Sequence, residues 1–323
     1  MQNLTQLHHF KLVAQEKSFA RAAEIANVTQ PAMSNSIRNL EERLGMTLFH
    51  RSERPVTMTS AAKTIFSKVD ELLFEASNLD QLIGNLKVGQ SGHVRLGMTT
   101  VFSTSLGGPI IAEWYENHPN VKLDVIVRET PDLTQGLRDG AFDLFVGDAR
   151  DMQDNVTDLE LTSLPPLPGG AFCRMGHPIL DITHPTRDDL AQHAFAGTHF
   201  PQSLAEEFAR FLGKDDQPPD SLVAVNSHNI AALRDAAALS DLILLTTIGC
   251  VRNALALGIL EQVPLDLGIH GIFYVATRRG QIHHPAVPSM IDKIIEVARR
   301  DHEHRIIPCA QQFVDMPKGV SDS

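Results

Sequence analysis

The stretch Thr29–Gly45, TQPAMSNSIRNLEERLG, decides the fold. The Thr29 hydroxyl can accept from the orphan N–H groups of a first helical turn, and Pro31 falls in that turn, where its missing donor does no harm. Gly45 can close the helix in the left-handed conformation. Between these ends Met33, Ile37, Leu40 and Leu44 recur in steps of three and four, which places them on one core-facing stripe. The other face carries Gln30, Ser34, Asn35 and Arg38, polar or cationic side chains of the types that pair with base edges and phosphates. A helix of this kind can lie in a major groove.

Working outward, Leu4 to Gln15 reads as a helix with Leu4, Leu7, Phe10 and Ala14 on one side. Ser18 can cap a short second helix whose Ala22, Ala23, Ile25 and Ala26 admit close packing. Asn27-Val28 then turns the chain into the Thr29 helix, making a helix-turn-helix. Beyond Gly45, Thr47 to Phe49 and Val56 to Met58 can pair as a hairpin around HRSERP. That hairpin resembles the wing of a winged helix, with Arg51 and Arg54 at its tip.

From Ser60 the pattern becomes a heptad seam: Ala62, Ile65, Val69, Leu72, Ala76, Leu79, Ile83 and Leu86 alternate steps of three and four. So narrow a seam predicts a helix facing a second copy of the chain, with Ile65, Val69, Leu72, Leu79 and Ile83 at the contact. Phe66, Leu73 and Leu82 leave packing on the chain's own domain as the alternative. A dimer presents two recognition helices and calls for a two-fold related site.

Lys87 to His93, KVGQSGH, reads as a hinge. After it, strand patterns alternate with helical ones: VRLGM, VKLDVIV and LFVG are separated by Pro109 to Asn117 and Leu133 to Arg138. The expectation is a parallel α/β sheet with crossover helices. A Pro-rich break, LPPLPGG at 164–170, opens a second α/β unit holding LVAVN, LILL and QVPL. GIFYVAT at 271–277 and a helix from Pro285 to Arg300 return to the first unit. Two sheets joined by two crossings leave a cleft.

Parallel sheets bind ligands at the carboxyl ends of their strands, where helix N-termini point into the crevice. Thr99, Thr100 and Ser103 follow the first strand and Thr130 the second. In the second unit Thr198, His199 and Phe200, then Asn226, then Thr246 take equivalent places. Any one such hydroxyl is more simply a helix cap; their recurrence at several strand ends favours a pocket. Hydroxyls beside helix N-termini suit a carboxylate or another small anion.

The chain has 323 residues, 43% of them hydrophobic, and a formal net charge of -11. The first 60 residues hold 7 Lys and Arg against 5 Asp and Glu, the remainder 21 against 34, so contact with a polyanion belongs to the N-terminus. Cys173, Cys250 and Cys309 show no C-x-x-C spacing, which signals neither a disulfide framework nor a zinc site. No signal segment or membrane span is legible, and the expectation is a cytoplasmic protein without a membrane partner. There is no G-x-S-x-G elbow, P-loop, G-x-G-x-x-G or H-E-x-x-H. His283-His284 and His302-Glu303-His304 read as surface histidines, and no metal or cofactor is expected. The competing readings are an enzyme of the α/β cleft that uses the N-terminal unit for docking, and a small-molecule binding protein without transcriptional output.

The segment SFARAAEIANVTQPAMSNSIRNLEERLGMTLFHRSERPVTMT resembles the LysR-type transcriptional regulators almost position by position, and the pattern of the remainder is similar to that family throughout. The resemblance implies a winged helix-turn-helix at 1–59, a dimerising linker helix at 60–88 and an effector-binding domain at 89–323. It makes that domain periplasmic-binding-protein-like, with subdomain I at 93–163 and 269–301 and subdomain II at 164–268. By match to the family's motif, Gln30, Pro31, Ser34, Asn35 and Arg38 face the groove and Arg21, Arg51 and Arg54 the phosphates. Thr99, Thr100, Thr130 and residues near Phe200 line the effector pocket. The implied partners are an interrupted palindrome in double-stranded DNA, a small-molecule effector and further copies of the chain as a homodimer or homotetramer, with RNA polymerase as a candidate. One departure stands out: LSDLILLT puts Leu239, Asp241 and Thr246 where the family has Gly-x-Gly, apolar residues and Pro. The charge of the ligand is therefore open.

Overall fold

The computed structural model describes residues 3–87, 92–152 and 156–304, and its chain forms two compact units, Met1–Lys87 and Val88–Ser323. Most of the stretch read as a hinge, and the tail with Cys309, lie outside the described residues.

In the first unit α1 (Leu4–Glu16), α2 (Phe19–Ile25) and α3 (Gln30–Leu44) precede a hairpin of β1 (Phe49–His50) and β2 (Thr57–Met58), and α4 (Ser60–Lys87) closes the unit. The caps are those that the side chains dictate. Asn3 accepts from Thr5 N–H, Ser18 from Arg21 N–H and Thr29 from Ala32 N–H, and Gly45 ends α3 at φ 66°. Met33, Ile37 and Leu40 are fully buried, while Leu44 is half-buried at the edge. Phe10 lies at the centre, 5.5 Å from the Phe49 ring and 5.9 Å from that of Phe66. A Lys11–Asp70 ion pair at 2.8 Å fastens α1 to α4.

The heptad seam divides. Ala62 and Val69 are buried in the core of the unit and Ile65 packs against it, whereas Leu72, Leu79 and Ile83 are exposed. Val69, expected at a contact with another copy, is instead taken up by the unit's own core, and Ile65 is half-buried against it. A core this small needs the first turns of α4 to cover α1 and the hairpin, and Leu72, Leu79 and Ile83 stay outside it.

The second unit holds two lobes. The first sheet comprises β3 (Gly92–Met98), β4 (Val121–Val127), β5 (Leu144–Asp148), β6 (Leu159–Ser163) and β13 (Phe273–Arg278), in the order β4-β3-β5-β13-β6. The second comprises β7 (Leu167–Arg174), β8 (Phe195–Gly197), β9 (Val223–Asn226), β10 (Ile243–Thr247) and β11 (Leu260–Gln262), in the order β11-β7-β10-β8-β9, with β12 (His270–Gly271) added on β7. Around the first sheet, α5 (Thr100–Phe102) runs through a π-helical turn, Ser103–Gly107, into α6 (Gly108–Asn117), and α7 (Thr130–Arg138) and α12 (Ala286–His304) complete the cover. The short α8 (Arg187–Leu190), then α9 (Gln202–Phe211), α10 (Ile230–Leu239) and α11 (Ile248–Ala256), surround the second. Apolar clusters fill both faces of each sheet, with Trp114 and Phe102 on one side of the first and Phe145 on the other.

The sheets are mixed rather than parallel. β3 pairs in parallel with β4 and β5, but β13 runs antiparallel to β5 and β6; β8 is parallel to β9 and β10, but β7 is antiparallel to β10 and β11. The cause lies in the crossings. A chain that leaves one lobe at the cleft enters the other from the cleft, so the receiving strand runs opposite to the parallel set. Phe273 accordingly starts beside Asp148, the last residue of β5, and Gly169 lies beside Thr247, the last of β10. The Pro-rich stretch at 164–170 is therefore no plain break, because β7 starts within it at Leu167. The return crossing also falls later than expected, since His270-Gly271 still pairs with β7.

Candidate functional site

In the first unit the exposed face of α3 presents Gln30, Pro31, Asn35 and Arg38, with Ser34 half-buried. The cations flanking it are placed differently from one another. Arg21 pairs with Glu24 at 3.0 Å. Arg51 donates to Glu41 at 2.7 Å and lies over the Phe19 ring, 5.2 Å from its centre, while Arg54 is exposed at the hairpin tip. Glu41 also accepts the Leu48 N–H at 2.7 Å, so one carboxylate on α3 fixes where the hairpin starts.

In the second unit a cavity of about 730 Å³, space open to solvent at its mouth included, lies between the lobes. Of the residues expected there, Thr99, Thr100, Thr198, His199, Phe200 and Thr246 line it. Ser103 and Thr130 do not. Thr130 is fully buried, and its hydroxyl accepts the Asp148 N–H at 3.0 Å, which locks the end of β5 to α7. Asn226 belongs to a shallower depression that shares Glu129, Asp151 and His199 with the cavity. Asp241, suspected of adding a charge to the pocket, instead pairs with Arg174 at 2.7 Å, and Leu239 is exposed; neither lines the cavity.

The apolar wall comes from Val101, Phe200, Leu204, Leu245, Ile269 and Phe273. The Thr99 and Thr246 hydroxyl oxygens are buried without a hydrogen-bond partner. Three described carboxylates, Glu129, Asp148 and Asp151, also line the cavity and were not expected there. They obey the same strand-end rule as the threonines, because β4 runs out toward Glu129 and β5 ends at Asp148. Burial pushes the Asp148 carboxyl up to about 6, opposed by the Arg150 N–H and guanidinium. Burial also raises that of Asp151, with His199 and Arg150 pulling the other way and Glu129 adding to the rise.

Behind the cavity the lobes are joined by a buried polar contact. The hydroxyls of Ser105, from the π-helical turn, and Thr247, from the end of β10, are 2.7 Å apart, and the Cys250 sulfur lies 3.2 Å from that of Ser105. Among the described residues no group of three or more His, Cys, Asp or Glu could hold a metal, and no helix is long and apolar enough to cross a membrane.

Comparison with known proteins covers both units. Residues 4–63 match the family described as bacterial regulatory helix-turn-helix protein, lysR family, and residues 87–299 match the LysR substrate binding domain. The SDS degradation transcriptional activation protein of a Pseudomonas strain is 32% identical over 92% of this chain and 96% of its own length. The regulator GbpR of Azospirillum brasilense is 31% identical over 71% of this chain and 67% of its own. Among solved structures, a full-length OxyR variant from Pseudomonas aeruginosa superposes with a TM-score of 0.63 at 20% identity, over 93% of this chain and 97% of that one. Full-length BenM gives 0.52 at 22% identity, over 96% and 100%.

Proposed function

The chain belongs to the LysR family of bacterial transcriptional regulators, and we propose that its α3 reads a two-fold related DNA site while the cleft between its lobes takes the controlling small molecule. The observation that carries the reading is the division of α3, which buries Met33, Ile37 and Leu40 completely and leaves Gln30, Asn35 and Arg38 exposed. Gln and Asn can bond adenine bidentately and Arg guanine, each pair discriminating by about 1 to 3 kcal/mol. Arg54 and Arg21 supply cations for phosphates. Arg51 contributes through the hairpin that it fastens.

The exposed Leu72, Leu79 and Ile83 of α4 suit a second copy, which would present two recognition helices to an interrupted palindrome. Thr99, Thr100, Thr198, His199, Phe200 and Thr246 form the effector contacts. The protein acts in the cytoplasm as a regulator and not as an enzyme, with RNA polymerase as its downstream partner. The name of the Pseudomonas relative says what that protein activates, not what it binds, and carries no effector to this chain.

The test is binding of the purified chain to the DNA upstream of its own gene, across a salt series and against scrambled DNA of equal length. Retention of the upstream DNA that survives rising salt, and that loses discrimination in Arg38→Ala, supports base readout. Equal and steeply salt-sensitive binding to both DNAs would overturn it.

A further inference from the structure

The cavity is acidic, and that narrows what it binds. We propose that it takes a small organic cation, with an apolar body between Phe200, Leu204, Ile269 and Phe273 and an ammonium or amidinium group held by Glu129 and Asp151. The inference rests on reading the cleft as the effector site, and it replaces the expectation of an anion.

Three observations carry it. First, among the described residues the lining contains three carboxylates and neither lysine nor arginine. Arg150 stands behind, its side chain 13% exposed, donating to the His270 carbonyl at 2.7 Å and lying 3.8 Å from the Asp148 carboxylate. That guanidinium lies against Asp148 and also acts on Asp151, so the three lining carboxylates remain in excess of it. Second, Glu129 is the residue that starts α7, yet its side chain makes no capping bond. Its carboxylate accepts from His228 Nδ1 at 2.9 Å, on the opposite lobe, so Glu129 belongs to the cleft and not to its own helix. Third, Thr99 is only 7% exposed and its hydroxyl has no partner among the described residues, while it lines the same cavity. A buried hydroxyl left unpaired costs about 1 to 3 kcal/mol, which a ligand hydroxyl or N–H can recover.

An anionic ligand would have to approach carboxylates already resisting ionisation in a low-dielectric site, whereas a cation relieves both. His199 and His270 complete the polar part of the lining.

The test uses three probes that share a phenethyl frame: phenethylamine, 2-phenylethanol and 3-phenylpropionate, titrated calorimetrically into the full-length protein at pH 7.5. The amine should bind roughly tenfold or more tightly than the alcohol, as a charge-assisted hydrogen bond implies, and the carboxylate least of all. Glu129→Gln with Asp151→Asn should abolish the preference for the amine while the alcohol binds as before, which shows that the cleft is still folded. Phe200→Ala should weaken both. Carboxylate binding equal to or tighter than amine, lost in Phe200→Ala, overturns the cationic assignment and leaves the cleft as the effector site. No heat from any probe overturns the assignment as well, and the DNA experiment then judges the regulatory reading separately.

Discussion

Ser105 and Thr247 meet hydroxyl to hydroxyl at 2.7 Å in a buried position, one from each lobe. Each is the other's oxygen partner, with the Cys250 sulfur 3.2 Å from the Ser105 hydroxyl and 3.4 Å from that of Thr247, so removing one leaves the other only that weak sulfur partner. Ser105→Ala should destabilise the second unit by about 1 to 3 kcal/mol. Adding Thr247→Val removes the hydroxyl left with only the sulfur, so the double variant should lose less than the sum of the single ones. Urea unfolding of the three variants checks this; strict additivity would mean that the contact contributes nothing.

Gly249 stands beside the same contact. A Cβ there would come within 2.7 Å of the Ser105 Cβ and 3.1 Å of its Cα, too close for either to keep its place. Gly249→Ala should therefore cost about 1 to 3 kcal/mol through overpacking and force the lobes apart. Ser105→Gly in the same chain should recover part of the loss, because it removes the nearest atom. Thermal melts of the pair decide it: no recovery would place the strain elsewhere.

Glu41 links α3 to the hairpin through the Leu48 N–H and Arg51. Glu41→Ala leaves a backbone donor unpaired and frees Arg51, so the first unit should lose about 1 to 3 kcal/mol. DNA affinity should fall as the hairpin loses its anchor. Measured affinity equal to the parent at a temperature where both are folded would show that hairpin placement is irrelevant to binding.

The seam on α4 makes an asymmetric prediction. Leu72→Glu changes an exposed position and should prevent the proposed self-association, read by light scattering, with the melting of the chain itself little altered. Val69→Ala empties a buried position and should lower stability by roughly 1 to 3 kcal/mol without changing mass. Dissociation caused by Val69→Ala and not by Leu72→Glu would reverse the division of the helix described above.

The helix-turn-helix was legible because its signals are local: Ser18, Thr29 and Gly45 cap where capping residues should, and Met33 and Ile37 follow the helical period. Strand ends were legible for the same reason, which is why Thr99 and Thr246 were expected at the cavity that they line. What escaped depended on distant partners. Nothing adjacent to Val69 says that α1 covers it, nothing near Asp241 says that Arg174 takes its charge, and the hydroxyl of Thr130 looked like a ligand contact until the N–H of Asp148 proved to occupy it. Strand direction was lost likewise, since the pattern of GIFYVAT reads the same for β13 whether the chain enters from the cleft or from the far side.

Asp148 gives the cleft a pH dependence whose sign follows from burial. Its carboxyl has an ordinary value of 3.8 and is raised to about 6 in the folded protein. Between those values the folded chain holds a proton that the unfolded chain has released. The stabilisation from that proton is complete below 3.8 and is lost as the pH rises through 6. At pH 8 the buried carboxylate thus costs up to roughly 3 kcal/mol. Asp148→Asn keeps an oxygen to accept the Arg150 N–H but cannot ionise, so it should melt higher than the parent at pH 8, with the difference shrinking toward zero by pH 4. The gain should stay below that ceiling, because the Arg150 guanidinium loses its neighbouring charge. Melting temperatures of both chains at half-unit pH intervals test the sign directly, and a difference that stays flat with pH would show that Asp148 is not the group that titrates.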